Sequence, residues 1–100
     1  MEEIGLEELY TFSEMDQVRF IGITTELSRY DFGIVFTSQF FGKTLVVCIE
    51  SGKAALLDHD DVLEEGTLVR LLDVAAVDEE SVGEFLSELL PYVPHYEQAD

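Results

Sequence analysis

Thr44-Leu45-Val46-Val47-Cys48-Ile49-Glu50-Ser51-Gly52-Lys53-Ala54-Ala55-Leu56-Leu57 reads as two strands joined by a tight turn. Residues 44–50 are dominated by β-branched and large apolar side chains, which suit a pleated surface. Glu50-Ser51-Gly52-Lys53 then supplies a short hairpin with glycine where positive φ is needed, and residues 54–57 form the return strand. Working back toward the start, residues 18–25 and 32–37 have the same Val, Ile, Phe and Thr character, separated by stretches carrying Ser, Arg, Asp and Gly. Together these predict an antiparallel meander. Residues 9–12 are expected to add a strand before it.

Beyond the hairpin the pattern turns helical. Asp78 is placed to cap a helix with its carboxylate, and Glu79 and Glu80 suit the positive end of the helix dipole. Val82, Phe85, Leu86 and Leu89 recur at three- and four-residue steps as one apolar stripe, with Glu80, Glu84 and Glu88 on the opposite face. Pro91 ends the helix. Residues 67–74 fit either a helix or a strand, and helix is favoured. The expected fold is α+β: an antiparallel sheet of four or five strands in near-sequential order, with C-terminal helices packed on one face. At 100 residues the chain has room for one core. Residues 1–93 are read as one domain and residues 94–100 as a mobile tail.

Charge is divided by region. The chain holds 22 acidic and 5 basic residues, a formal net charge of -17. Residues 1–16 contain six acids and no base, residues 17–57 carry Arg19, Arg29, Lys43 and Lys53 against Glu26, Asp31 and Glu50, and residues 58–100 hold thirteen acids against Arg70 alone. Repulsion of this sign opposes direct binding to nucleic acid backbones and to anionic membranes. The acidic opening Met1-Glu2-Glu3 and the lack of any apolar run near the ~20 residues of a bilayer span point to a cytoplasmic protein.

The nearly neutral middle has apolar residues on both sides of its strands. Phe32, Ile34 and Phe36 share one face while Val35 opposes them. Leu45, Val47 and Ile49 share one face and Val46 and Cys48 the other, and Phe20 and Ile21 likewise diverge. A sheet covered by one layer of helices buries one face only, so part of this sheet is expected to meet another subunit or protein.

Familiar chemistries are weakly represented. Gly42-Lys43-Thr44 resembles the end of a phosphate-binding loop, but that pattern needs glycine where Thr37 stands, and a helix where Thr44 opens a strand. Gly42 serves the turn and Lys43 marks its exit. Cys48 lies in an apolar strand and reads as core filler. Asp58-His59-Asp60-Asp61 is the one cluster with metal-capable side chains. It matches neither a calcium loop nor zinc spacing, and Asp60 or Asp61 is expected to hold a first helical turn. His95 has no evident companion. No nucleophile stands beside a base, so no catalytic or metal residues and no cofactor are assigned, and an enzyme is the less favoured class.

Phe40 and Phe41 sit on the β-connection, where either a ring is tucked under the sheet or the pair meets a partner. The candidate partner-binding residues are therefore Phe40, Phe41, Lys43, Glu80, Glu84 and Glu88. The leading functional reading is a non-catalytic, self-associating interaction module whose acidic helix face could dock a basic protein. A small metal-dependent enzyme using Asp58-His59-Asp60-Asp61, or an acidic nucleic-acid mimic, are the alternatives.

Phe41-Gly42-Lys43-Thr44-Leu45-Val46, preceded by Ile34-Val35-Phe36-Thr37 and followed by Phe85-Leu86-Ser87-Glu88-Leu89-Leu90, resembles a family of short acidic Firmicute proteins of unknown function. The resemblance runs from about Glu8 to Leu90. It implies an intracellular bacterial α+β domain and brings no activity, cofactor or site residue with it.

Overall fold

A computed structural model describes residues 5–93. Four antiparallel strands form one sheet in the order β1-β2-β3-β4: β1 is Gln17–Thr24, β2 Arg29–Phe36, β3 Thr44–Cys48 and β4 Lys53–Leu57. The meander is thus present with four strands. Residues 9–12, expected as a fifth, have no regular structure. Glu14 accepts hydrogen bonds from the hydroxyls of Thr37 and Ser38 at the end of β2, which draws this segment past the sheet end rather than alongside β1.

The turns follow from local chemistry. The β1–β2 connection is held by Thr25, whose hydroxyl accepts from the Leu27 and Ser28 amides at 3.2 and 3.0 Å. The β3–β4 turn places Gly52 at φ 74°, the left-handed conformation the sequence anticipated there. Serine hydroxyl Oγ of Ser51 donates to the Leu72 carbonyl at 2.9 Å, tying this turn to the helical layer.

That layer consists of two short helices, α1 (Thr67–Leu72) and α2 (Glu79–Ser87), with single 3₁₀ turns at Asp61–Leu63 and Ala76–Asp78. Six residues are too few for a helix to stand by propensity. α1 instead borrows its N-terminal cap from α2: the Glu79 carboxylate accepts from the Gly66, Leu68 and Val69 amides at 3.0 to 3.3 Å. Asp73 at φ 63° closes its other end in the left-handed conformation, and the Val74 amide reaches back to the Leu68 carbonyl at 3.2 Å. Residues 67–74 therefore resolve as helix and exit turn.

Asp78 stands before α2 as expected, but its side chain does not cap it. The 3₁₀ turn Ala76–Asp78 runs straight into the helix, so Asp78 has helical rather than extended backbone and its carboxylate is aimed away from the first turn. It lies buried and accepts from the Tyr30 hydroxyl at 2.8 Å. The core sits between this layer and one sheet face, where Phe32, Ile34, Val46, Leu68, Leu72 and Leu86 are fully enclosed. Cys48 is among the buried residues of that core, and Glu80, Glu84 and Glu88 lie on the outside of α2. Below α2, the Leu90 amide bonds the Leu86 carbonyl and the Pro91 carbonyl accepts from the His59 amide at 3.0 Å. The expected tail 94–100, with His95, lies outside the described residues.

Candidate interaction surface

The strand pairing fixes which side chains stand together on the sheet face turned away from the helices. Val18, Val35, Leu45 and Leu56 are paired across the four strands as one row. Phe20, Gly33, Val47 and Ala54 form the next. Neither row contains a charge. Gly33 has a steric role here: a Cβ at that position would stand 3.2 Å from the Phe20 ring, so glycine lets the aromatic lie across its neighbour strand. Phe20 is 78% exposed, and Val18, Ile49 and Leu56 are also open to solvent. In β3, Thr44, Val46 and Cys48 are buried under the helices while Leu45 and Val47 on the other side are half-buried at most. The apolar rows give way at one end to Arg29, whose guanidinium donates two 3.1 Å hydrogen bonds to Asp31. Glu50 also reaches this end, accepting from the Asp31 amide at 2.9 Å, so charge is confined to the end of the face and the two rows themselves are uncharged.

The acidic residues are elsewhere. Glu80 and Glu84 project from α2 into a depression of about 460 Å³ that Glu64, Glu65 and Glu79 also line, and Glu88 is exposed further along. α2 buries Val82 and Leu86 against the opposite side of the sheet from Phe20, so the glutamates point away from the open face.

Phe40 and Phe41 occupy the 3₁₀ turn Phe40–Gly42 between β2 and β3, with φ of 58° and 65°. Neither ring is tucked under the sheet. Phe41 is 91% exposed, and Phe40 leans on Phe12 with ring centroids 6.2 Å apart. Phe12 in turn stacks on Tyr10. The left-handed backbone at two successive residues turns these side chains outward, an arrangement no local periodicity signals.

Lys43 does not project freely. Its ammonium donates to Asp61 Oδ2 at 2.9 Å, joining the start of β3 to the Asp61–Leu63 turn. The same turn explains the acidic run. Asp58 Oδ1 accepts from the Asp61 amide at 2.8 Å while Asp61 Oδ2 accepts from the Asp58 amide at 3.0 Å. Asp61, one of the two acids expected to hold the first turn, does so jointly with Asp58, while Asp60 does not. Asp60 instead meets His59 Nδ1 at 3.0 Å. Among the described residues no three His, Cys, Asp or Glu side chains converge as metal ligands.

Burial pushes the Asp61 carboxyl upward, but the Lys43 ammonium and the Asp58 hydrogen bonds outweigh it and hold the group below the ordinary carboxylate range; Lys43, bonded to Asp61, is raised. A lowered folded-state value stabilises the protein above the unfolded carboxylate pKa of about 3.9, and that contribution disappears as pH falls through the folded value. Both side chains are partly exposed, which limits the pair to about 1 kcal/mol. Lys43→Met is therefore expected to melt several degrees lower than the parent at pH 7. The gap begins to narrow as pH falls below about 4, where Asp61 of the unfolded chain takes up a proton, and closes once pH has passed below the lowered folded value, where Asp61 is protonated in both states. Thermal melts across that range measure it, and a gap independent of pH would remove the ion pair as its cause.

The tertiary arrangement defines a small α+β protein whose helices cover one side of a four-stranded sheet and leave a neutral apolar side bare. A family model described as SAV0927-like matches residues 9–88, from before β1 to the end of α2, and the chain belongs to the SAV0927-like family. No curated protein matches the chain. Among the described residues no helix is long and apolar enough to cross a membrane.

Proposed function

We propose that this protein is a non-catalytic interaction module that pairs with a second copy through the open sheet face and leaves the α2 glutamates free to dock a basic protein. The observation that carries the reading is the pair of uncharged rows, with Phe20 78% exposed at their edge. Contiguous apolar surface of this kind is costly in water and is relieved by burial against a matching surface.

The charge distribution supports self-pairing in spite of a net charge of -17. Sheets pack about 10 Å apart, and each helix layer adds about as much again. Two copies facing through their sheets would hold their glutamate-bearing helices some 30 Å apart, several times the ~8 Å Debye length at physiological salt. The bacterial, cytoplasmic setting belongs to the same proposal, supported by the sequence resemblance to Firmicute proteins.

Light scattering at physiological salt tests the pairing. A mass of two chains is expected, and Val47→Lys, which puts a charge at the centre of the face, should weaken the dimer at least tenfold with helix content unchanged. A strictly monomeric parent from micromolar to millimolar concentration would sink the reading. Glu84→Lys and Glu88→Lys should leave the dimer intact while reducing capture of a basic partner.

A further inference from the structure

Residues 5–16 form an irregular arm that leads into β1 with most of its apolar side chains uncovered: Leu9 is 87%, Leu6 73%, Tyr10 65% and Met15 99% exposed. The open sheet face is bare in the same molecule. Two uncovered apolar surfaces on one chain would ordinarily collapse on each other. Here the arm is held apart, because Glu14 takes the hydroxyls of Thr37 and Ser38 and Phe12 leans on Phe40, both at the β2–β3 end of the sheet.

A face-to-face pair of sheets is also short of area. Four strands about 4.8 Å apart, two of eight residues and two of five at about 3.3 Å each, give a footprint of roughly 400 Å². A standard interface covers about 800 Å² on each partner. Tyr10 and the leucines of the arm provide apolar surface of the missing kind, and the seven residues from 5 to 11, ahead of the Phe12 contact, reach about 23 Å when extended, enough to cross a gap of about 10 Å and run over part of the facing sheet.

Resting on the self-pairing proposed above, we infer that the arm of each copy crosses to the other and packs Leu6, Leu9 and Tyr10 beside the partner's Phe20 and Val47. The exchange is reciprocal, as two-fold symmetry requires. Each arm covers the margin that the flat sheets leave open.

The experiment mixes two preparations of the full chain. One carries a spin label on Glu8→Cys, Cys48 being buried and closed to the reagent; the other is unlabelled at Glu8 and enriched in nitrogen-15. Broadening of the Leu45 and Val47 amides of the enriched chain is expected on mixing. Leu6→Ser with Leu9→Ser, which alters no charge, should weaken the dimer about tenfold while far-ultraviolet dichroism is unchanged. If Val47→Lys dissociates the dimer but no amide broadens between chains and the double serine variant pairs as the parent does, the arm exchange is wrong and the sheet-face dimer stands. In a second sample, where a chain both labelled and enriched is diluted into an excess of unlabelled chain of natural isotope abundance, broadening that the first mixture lacks would show the arm closing on its own sheet, and also overturns the exchange. A parent chain that never pairs defeats both.

Discussion

Tyr30→Phe is expected to cost about 3 kcal/mol, a drop in melting temperature of roughly 10–20 °C for a chain of this size. The change removes one oxygen from a core side chain. That hydroxyl donates to Asp78 at 2.8 Å and accepts the Ala75 amide at 3.1 Å, and Asp78 is only 4% exposed. Deleting it strands the Asp78 carboxyl where water does not reach and leaves the Ala75 amide without this partner, and the penalty of an unpartnered buried polar group exceeds the worth of the bond itself. The pair also pins the 3₁₀ turn before α2 to the edge of β2, 48 positions away in sequence. A double-mutant cycle with Asp78→Ala separates the two effects: the pair of changes together should cost about 2 kcal/mol less than the sum of the singles. Additive costs would mean that the two groups act independently.

Gly83→Ala should also destabilise, by about 2 kcal/mol, although alanine is the better helix former by about 1 kcal/mol. Gly83 is in the middle of α2, and a Cβ there would fall inside van der Waals contact with the Val62 carbonyl oxygen. The obstruction is backbone, and that backbone is not free to retreat: Val62 belongs to the turn locked by the reciprocal Asp58–Asp61 hydrogen bonds and by Lys43. α2 would have to lift from the turn and loosen Val82 and Leu86 from the core. Chemical denaturation of the variant reads the sign directly. A gain in stability would show that the turn yields and that propensity governs the position.

Both effects involve contacts between residues distant in sequence, and they mark where reading the chain stops being informative. The hairpin at Glu50-Ser51-Gly52-Lys53, the division of Val35 from Phe32 and Ile34, and the apolar stripe of α2 from Val82 to Leu86 are all local patterns, set by a period of two or 3.6 residues, and each is found where the sequence places it, although α2 ends at Ser87, short of Leu89 and of the stop expected at Pro91. Asp78 is different. Its type and place announce a helix cap, yet the carboxylate serves Tyr30, because the backbone that leads into α2 turns it inward. Residues 9–12 are apolar enough for a strand, but Glu14 is occupied by the β2 end. The two phenylalanines of the β2–β3 turn could be core or surface until the positive φ of both turned them out.

The candidate surface was half legible. Apolar residues on both sides of residues 32–37 and 44–50, in a chain with few helical residues, already imply a sheet face in want of cover. Which residues stand abreast on that face follows only from strand register, which aligns Val18 with Val35, Leu45 and Leu56 and lays Phe20 over Gly33.

By itself, then, the amino-acid order determined the meander, the amphipathic final helix and the separation of acids from the apolar middle, because neighbouring side chains along a strand or helix declare their faces through spacing alone. Tertiary structure decided the partners of Tyr30, Lys43 and Glu79, the need for glycine at position 83, and the isolation of the 5–16 arm from the bare sheet. Those depend on distances between segments far apart along the chain, which no local period encodes and which only the packed backbone supplies.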